Sequence, residues 1–182
     1  MKTFKNIFLL VLLFSAVKLS AQTDKATTAR IVAAQNYVFV ATQAYPLNAA
    51  DINKVMNRMS GYTGGGTINL TDSNYDLAIT RDSVVAYLPY YGRSYTPRLG
   101  SIDDTGIKFK SKDFNYKITT RKKGGWQVTM NPKGKEIKDN YSLTLLITEN
   151  GYGTLTINSN NQQTITFNGY IDEPKPKKEK AG

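Results

Sequence analysis

The sequence predicts an all-β fold, an antiparallel β-barrel or sandwich of about ten strands behind a short N-terminal helix. Three observations predict it. From Thr67 onward apolar and polar residues alternate with a period of two, in run after run. The runs are rich in β-branched and aromatic residues, which fit a pleated, half-buried surface. Gly, Asn and Asp clusters separate them at spacings of roughly 8–12 residues, the rhythm of hairpins joined in series.

The elements follow in order. Residues 24–35 contain Ala26, Ala29, Ile31, Ala33 and Ala34 with few breakers, and Thr23 or Asp24 is placed to cap them as a helix. Tyr37-Val38-Phe39-Val40-Ala41 then reads as a strand over residues 36–44; one long helix through Ala44 is the alternative. Pro46 ends either element. In residues 48–62, Ile52, Val55, Met56 and Met59 recur at helix-like spacing, and Gly64-Gly65-Gly66 opens a loop. Alternating runs follow at residues 67–71, 75–80 and 84–88, the last two joined by an Arg81-Asp82 turn. Further runs lie at residues 107–110, 114–120, 126–130, 141–148, 152–157 and 164–171. Asn150-Gly151 between two of them is the strongest hairpin signal in the chain.

The period also assigns faces. Leu143, Leu145, Ile147, Leu155, Ile157, Ile165, Phe167 and Gly169 share the inward phase, with threonines and Asn168 as their alternates. Leu146 breaks this alternation, which predicts either a strand covered on both sides or a bulge.

The two ends of the chain differ from its middle. Lys2 and Lys5 precede an apolar run over residues 7–17, and Ala21-Gln22 offers a cleavage point. This is the layout of a secretory signal peptide over residues 1–21. The run is shorter than the ~20 apolar residues a spanning helix needs, and no other segment of the sequence is apolar enough. Residues 22–171 then form the expected single β-rich domain. Residues 172–182 are charged and broken by Pro174 and Pro176, the composition of a disordered tail. A periplasmic or secreted location is expected.

Of 182 residues, 24 are Lys or Arg and 14 Asp or Glu, a net charge of +10. Leader and tail carry part of this, which leaves about +6 on the folded domain, a charge that suits either anionic partners or a solvated surface. Nucleic acid is not an expected partner, because no recognition motif is present. The chain has no Cys and no His. Thiolate and imidazole chemistry, structural zinc and haem ligation by these side chains are therefore closed. An enzyme would have to work with carboxylates, Lys, Tyr or an oxygen-ligated metal. No metal site or cofactor is expected.

Residues 87–98 form the densest unusual stretch, with Tyr87, Tyr90, Tyr91 and Tyr95 beside Arg93 and Arg98. Tyrosine faces stack on ligands, and arginine forks take anionic or hydroxyl-rich groups. A strand leaving the sheet at Pro89 would set these six residues at a barrel rim. The plainer reading is that Tyr87 and Tyr90 plug the barrel end while Gly92 allows a bend. Other candidates are weaker. Asp72-Ser73-Asn74-Tyr75-Asp76 begins like a calcium loop, but Leu77 and Ser83 replace the required Gly and Glu, so a turn is expected. Asp103-Asp104 also reads as part of a turn, and Gly64-Gly65-Gly66 lacks the Lys of a phosphate loop. Arg121-Lys122-Lys123 beside Trp126 reads as a charged turn before a core residue. Asp76, Asp82, Glu136 and Glu149 are candidates for an acid pair, with no spacing that joins any two.

Leu88-Pro89-Tyr90-Tyr91-Gly92-Arg93-Ser94-Tyr95 resembles the signature of the domain-of-unknown-function family 4251. The likeness extends from Phe39 and Pro46 through Phe109 to Gly151-Tyr152-Gly153-Thr154-Leu155 and Gly169. It implies an exported protein of a Gram-negative bacterium, and it implies no reaction. The expected function is non-enzymatic binding of an unknown small molecule, glycan or envelope component, at the tyrosine rim or inside the barrel. A structural or assembly protein of the envelope and a histidine-free carboxylate hydrolase are the alternatives.

Overall fold

The computed structural model describes residues 23–47, 66–96, 106–135, 137 and 139–174. The leader, the helix-like stretch at 48–62, Gly64-Gly65, Arg98, Asp103-Asp104, Glu136 and the tail beyond 174 lie outside the described residues.

Helix α1 (Lys25–Ala34) is capped as its sequence predicts. The Asp24 carboxylate accepts the Thr27 N–H at 3.0 Å, the Thr27 hydroxyl at 2.7 Å and the Ala26 N–H at 2.9 Å, which hold its pKa below the usual carboxylate value. The helix stops at Gln35, in the left-handed region with φ 51°. There the Asn36 N–H reaches Ile31 O at 3.1 Å and the Gln35 N–H reaches Val32 O at 3.1 Å, closing the carbonyl end. That stop excludes a continuous helix through Ala44.

Among the described residues ten strands follow: β1 (Tyr37–Pro46), β2 (Ile68–Asn69), β3 (Asp76–Ile79), β4 (Val84–Leu88), β5 (Ile107–Ser111), β6 (Asp113–Thr120), β7 (Trp126–Lys133), β8 (Tyr141–Ile147), β9 (Tyr152–Ser159) and β10 (Ile165–Asp172). They form one antiparallel sheet in the order β5-β4-β3-β1-β10-β9-β8-β7-β6, with β2 on β1. The two outermost strands are neighbours in sequence, separated by Lys112 alone. Alternating directions along the sheet make β5 and β6 run the same way. They are two halves of one extended segment that leaves β4 and joins β7. The Ser111 hydroxyl sits at the change of partner, 2.6 Å from Lys133 O and 2.7 Å from Asp113 O. The sheet thus curls into a nearly closed barrel. Contacts across the interior follow the curl: Phe109 of β5 stacks on Tyr141 of β8 with centroids 5.4 Å apart.

The inward phase is the expected one. Leu143, Leu145, Ile147, Leu155, Ile157, Ile165 and Phe167 are all buried, together with Tyr37, Phe39, Leu77 and Ile79. Barrels of about eight staves have an interior that side chains can fill. Leu146 faces outward, half-buried, and β8 keeps its register past it. The irregularity lies instead in β1, between Ala41 and Gln43. Asn150-Gly151 makes the expected hairpin, with Gly151 at φ +79° and its N–H on Thr148 O at 3.1 Å. Arg81-Asp82 turns between Thr80 and Ser83, whose backbones bond at 2.9 Å. Trp126 is half-buried against the core after its basic turn.

Helix α1 covers the barrel end where β1 begins. Ile31 and Val32 face the core, Arg81 Nε donates to Ala34 O at 3.1 Å, and Lys25 pairs with Glu149 at 2.9 Å. The Thr23 hydroxyl donates to Ile171 O and Arg30 pairs with Glu173, so both ends of the described chain meet here.

Candidate functional site

Arg98 lies outside the described residues, and the structure separates the other five rim residues into two groups. Tyr90 folds back on the core. Its hydroxyl lies 2.8 Å from Arg93 O and 3.1 Å from Gln163 O. Burial first of all, with the nearby Tyr95 and Tyr141 phenols adding, pushes its pKa to about 12. A Cβ on Gly92 would lie 2.3 Å from the Tyr90 oxygen, so the glycine is there because the ring covers it. The backbone around Tyr90 is laid along the β9–β10 turn as an extra rung: Gln163 N–H to Arg93 O at 3.0 Å, Tyr95 N–H to Asn161 O at 2.8 Å, and a bridge between Ser94 and Gln162. Arg93 and Tyr95 project from this rung and are exposed. Tyr90 is thus packed against the core, whereas Tyr87, which the packing reading set beside it, is not.

Replacing Tyr90 by Phe removes the hydroxyl and keeps the ring. About 1 kcal/mol of stability should be lost, and the 89–96 segment should become easier to cleave by protease. The alkaline limb should change as well. A phenol held above its usual 10.0 stabilises the fold fully below pH 10.0, and that stabilisation is lost as pH rises to about 12. Denaturant titrations across this window should show a steeper decline in wild type than in Tyr90→Phe. Equal declines would refute the assignment.

Tyr87 belongs to the other group. It stands on the outer face of β4, 46% exposed. It stacks on Tyr75 at 5.7 Å and lies under the Lys108 ammonium at 4.9 Å. Tyr91, half-buried, adjoins Tyr75, and its pKa is raised by burial first and then by that neighbour.

Following Tyr87 along the hydrogen-bonded registers reveals a row that strand-by-strand reading does not show. Lys108 pairs with Tyr87, Tyr87 with Asp76, Asp76 with Val40, Val40 with Tyr170, and Tyr170 with Tyr152. Directly paired residues share a face, so these six form one transverse line on the outer wall. Two concavities meet at Val40. One, of about 300 Å³, has Val38, Val40 and Ala78 as its floor, between Tyr75 and Asp76 on one side and Asp172, Glu173 and Pro174 on the other. The second, of about 610 Å³, lies over Thr42, Asn168, Thr154 and the paired Gly153 and Gly169, with Thr71 at one wall and Tyr152 and Tyr170 at the other. The ridge beside them is the 70–75 excursion between β2 and β3, both of which pair with β1. Its base is held by Leu70 N–H to Thr42 O at 2.8 Å and Ala41 N–H to Tyr75 O at 3.0 Å. Asp72-Ser73-Asn74 is thus the expected turn, projecting from the outer wall.

Among the described residues the candidate carboxylates Asp76, Asp82 and Glu149 stand apart, and Asp76 instead shares a depression with Asp172 and Glu173. Glu149 is engaged by Lys25, Asp82 is exposed in the β3–β4 turn, and Asp76 stands in the outer row. Among the described residues no group of three or more acidic side chains is arranged to hold a metal ion. No helix among them is long and apolar enough to cross a membrane.

The family profile described as "Domain of unknown function (DUF4251)" matches residues 20–171. The chain belongs to the DUF4251 family. A crystal structure of a DUF4251 protein from Bacteroides eggerthii resembles it with a TM-score of 0.53 and 17% identity, over 82% of this chain and 87% of that one. At that identity the likeness carries the fold alone. No curated protein shows a significant match. The Leu88-to-Tyr95 motif thus lies in a DUF4251 domain.

Proposed function

We propose that this DUF4251 protein is exported and works by non-covalent binding, on the outer wall of its barrel. The observation that carries the binding reading is the transverse row from Tyr152 to Lys108, with its two adjoining concavities. The larger, at about 610 Å³, falls within the ~300–1,000 Å³ range of small-molecule sites. The barrel interior is a less suitable host. Its inward side chains Phe39, Phe167, Leu77, Leu145 and Leu155 are packed at zero exposure. The lack of His and Cys favours binding over catalysis. Export rests on the Lys-rich start, apolar run and Ala21-Gln22 junction; the matched family region begins at residue 20, beside that junction.

The full chain should be expressed in a Gram-negative host and recovered from the envelope. Its N-terminus should lie near Gln22, and a small molecule or glycan should co-purify with it. Val40→Arg fills the junction of the two concavities from an outward strand position. It should cut the retained ligand about tenfold, equivalent to ~1.4 kcal/mol, with little change in Tm. Retention of ligand by Val40→Arg would move the site elsewhere. Assembly through the β6 edge, with no ligand, would favour the structural alternative.

A further inference from the structure

We propose that the larger concavity, between Thr71 and the Tyr152–Tyr170 pair, is a subsite for a neutral saccharide; this deepens the outer-wall reading and rests on it. Every residue lining that depression is uncharged, in a chain with a net charge of +10. Its polar groups are hydroxyls and carboxamides. Asn168 accepts the Thr154 hydroxyl on its carbonyl oxygen at 3.0 Å, and Gln43 accepts the Tyr45 hydroxyl on its own at 2.7 Å. Both amides are thereby oriented with their NH₂ ends left to donate, and they suit the hydroxyl and ring oxygens of a sugar. Tyr152 and Tyr170 are a directly paired couple standing beside them, with ring faces for the C–H side of a pyranose and phenols for its hydroxyls.

Other ligand classes fit less well. The adjoining depression carries Asp76, Asp172 and Glu173, so an anion spanning the row would meet carboxylates. A peptide adding itself as a strand needs an open edge, yet β1, β10 and β9 are each paired on both sides. An acyl chain needs a deeper apolar floor than Val40 and two glycines supply.

The test uses the mature chain, isotope-labelled, titrated with neutral gluco-, galacto-, manno- and xylo-oligosaccharides. Uronic-acid oligosaccharides serve as the anionic comparison and indole as a probe of the groove itself. At least one neutral oligosaccharide should shift the Asn168 side-chain amide and the Thr154 backbone amide. Tyr170→Ala should weaken that binding roughly tenfold or more, since an aromatic face covered by the ligand carries much of such affinity. Tyr170→Phe should retain most of it. Equal or tighter binding of uronates would overturn the proposal, as would the failure of all saccharides. In the second case, indole shifts at the same residues would leave the outer-wall reading standing, and no response to indole would remove it too.

Discussion

Gly169→Ala is expected to be the most damaging small substitution in the sheet. Gly169 of β10 pairs with Ala41 of β1, beside the place where the β1 register shifts. A Cβ there would lie 1.9 Å from the carbonyl oxygen of Val40 and 2.9 Å from its carbonyl carbon. Both are backbone atoms, so no rotamer change relieves the clash. The two strands must part, and this pairing joins the first strand to the last. A cost of ~3 kcal/mol or more follows, a fall in Tm of roughly 6–12 °C for a chain of this size. Gly134→Ala is the control, because its Cβ would meet only the Ile137 side chain, at 3.6 Å. Thermal unfolding of the pair measures the difference. A Gly169→Ala protein as stable as Gly134→Ala would mean that β1 and β10 do not approach as described.

The second large effect centres on Phe39. It has no exposed surface, and its ring lies over Gly153 of β9, where a Cβ would come within 2.8 Å of two ring carbons. Phe39→Ala should cost about 3–5 kcal/mol, a large part of the ~5–15 kcal/mol that holds a domain folded. Gly153→Ala should cost ~1–3 kcal/mol by overpacking against the ring. The two sites are coupled, and the coupling has a sign. Combined with Phe39→Leu, which shortens the side chain over β9, Gly153→Ala should cost less than it does alone. Denaturant midpoints of the four proteins in this cycle decide the matter. Additive effects would show that the ring does not rest on the glycine.

Much of the barrel is legible in the residues, for a local reason. The hydrophobic alternation in residues 141–171 separates inside from outside because successive side chains on a strand point to opposite faces. Asn150-Gly151 marks its hairpin because glycine reaches positive φ without a Cβ clash. Leu146 misleads at this level: an apolar residue can sit half-covered on an outer face, and no bulge is needed. The real bulge, between Ala41 and Gln43, carries no such signal, since it answers to β10 across the sheet.

The candidate site divides in the same way. Residues 87–95 attract attention because tyrosines crowd there, yet crowding in sequence does not mean convergence in space. Tyr87 and Tyr90 have separate partners, one stacked on Tyr75 and the other bonded to the backbone at Gln163. The Tyr152–Tyr170 pair is within reach of sequence reasoning once the β9–β10 turn is centred near Asn161, because hairpin register follows from the turn. Its alignment with Val40 and Asp76 is not.

Read without coordinates, the chain specifies its strands, its turns, its inward residues, its helix cap and the absence of imidazole and thiol chemistry. All of these depend on single side chains or on near neighbours. Tertiary structure alone decides that β1 lies between β3 and β10, that the β5–β6 segment changes partner to curl the sheet, and that six outward residues from six strands share one line. Those outcomes depend on contacts between segments distant in sequence, Val40 with Tyr170 the farthest of the row, and they are selected when whole apolar faces leave water together, with no local preference of the backbone to announce them.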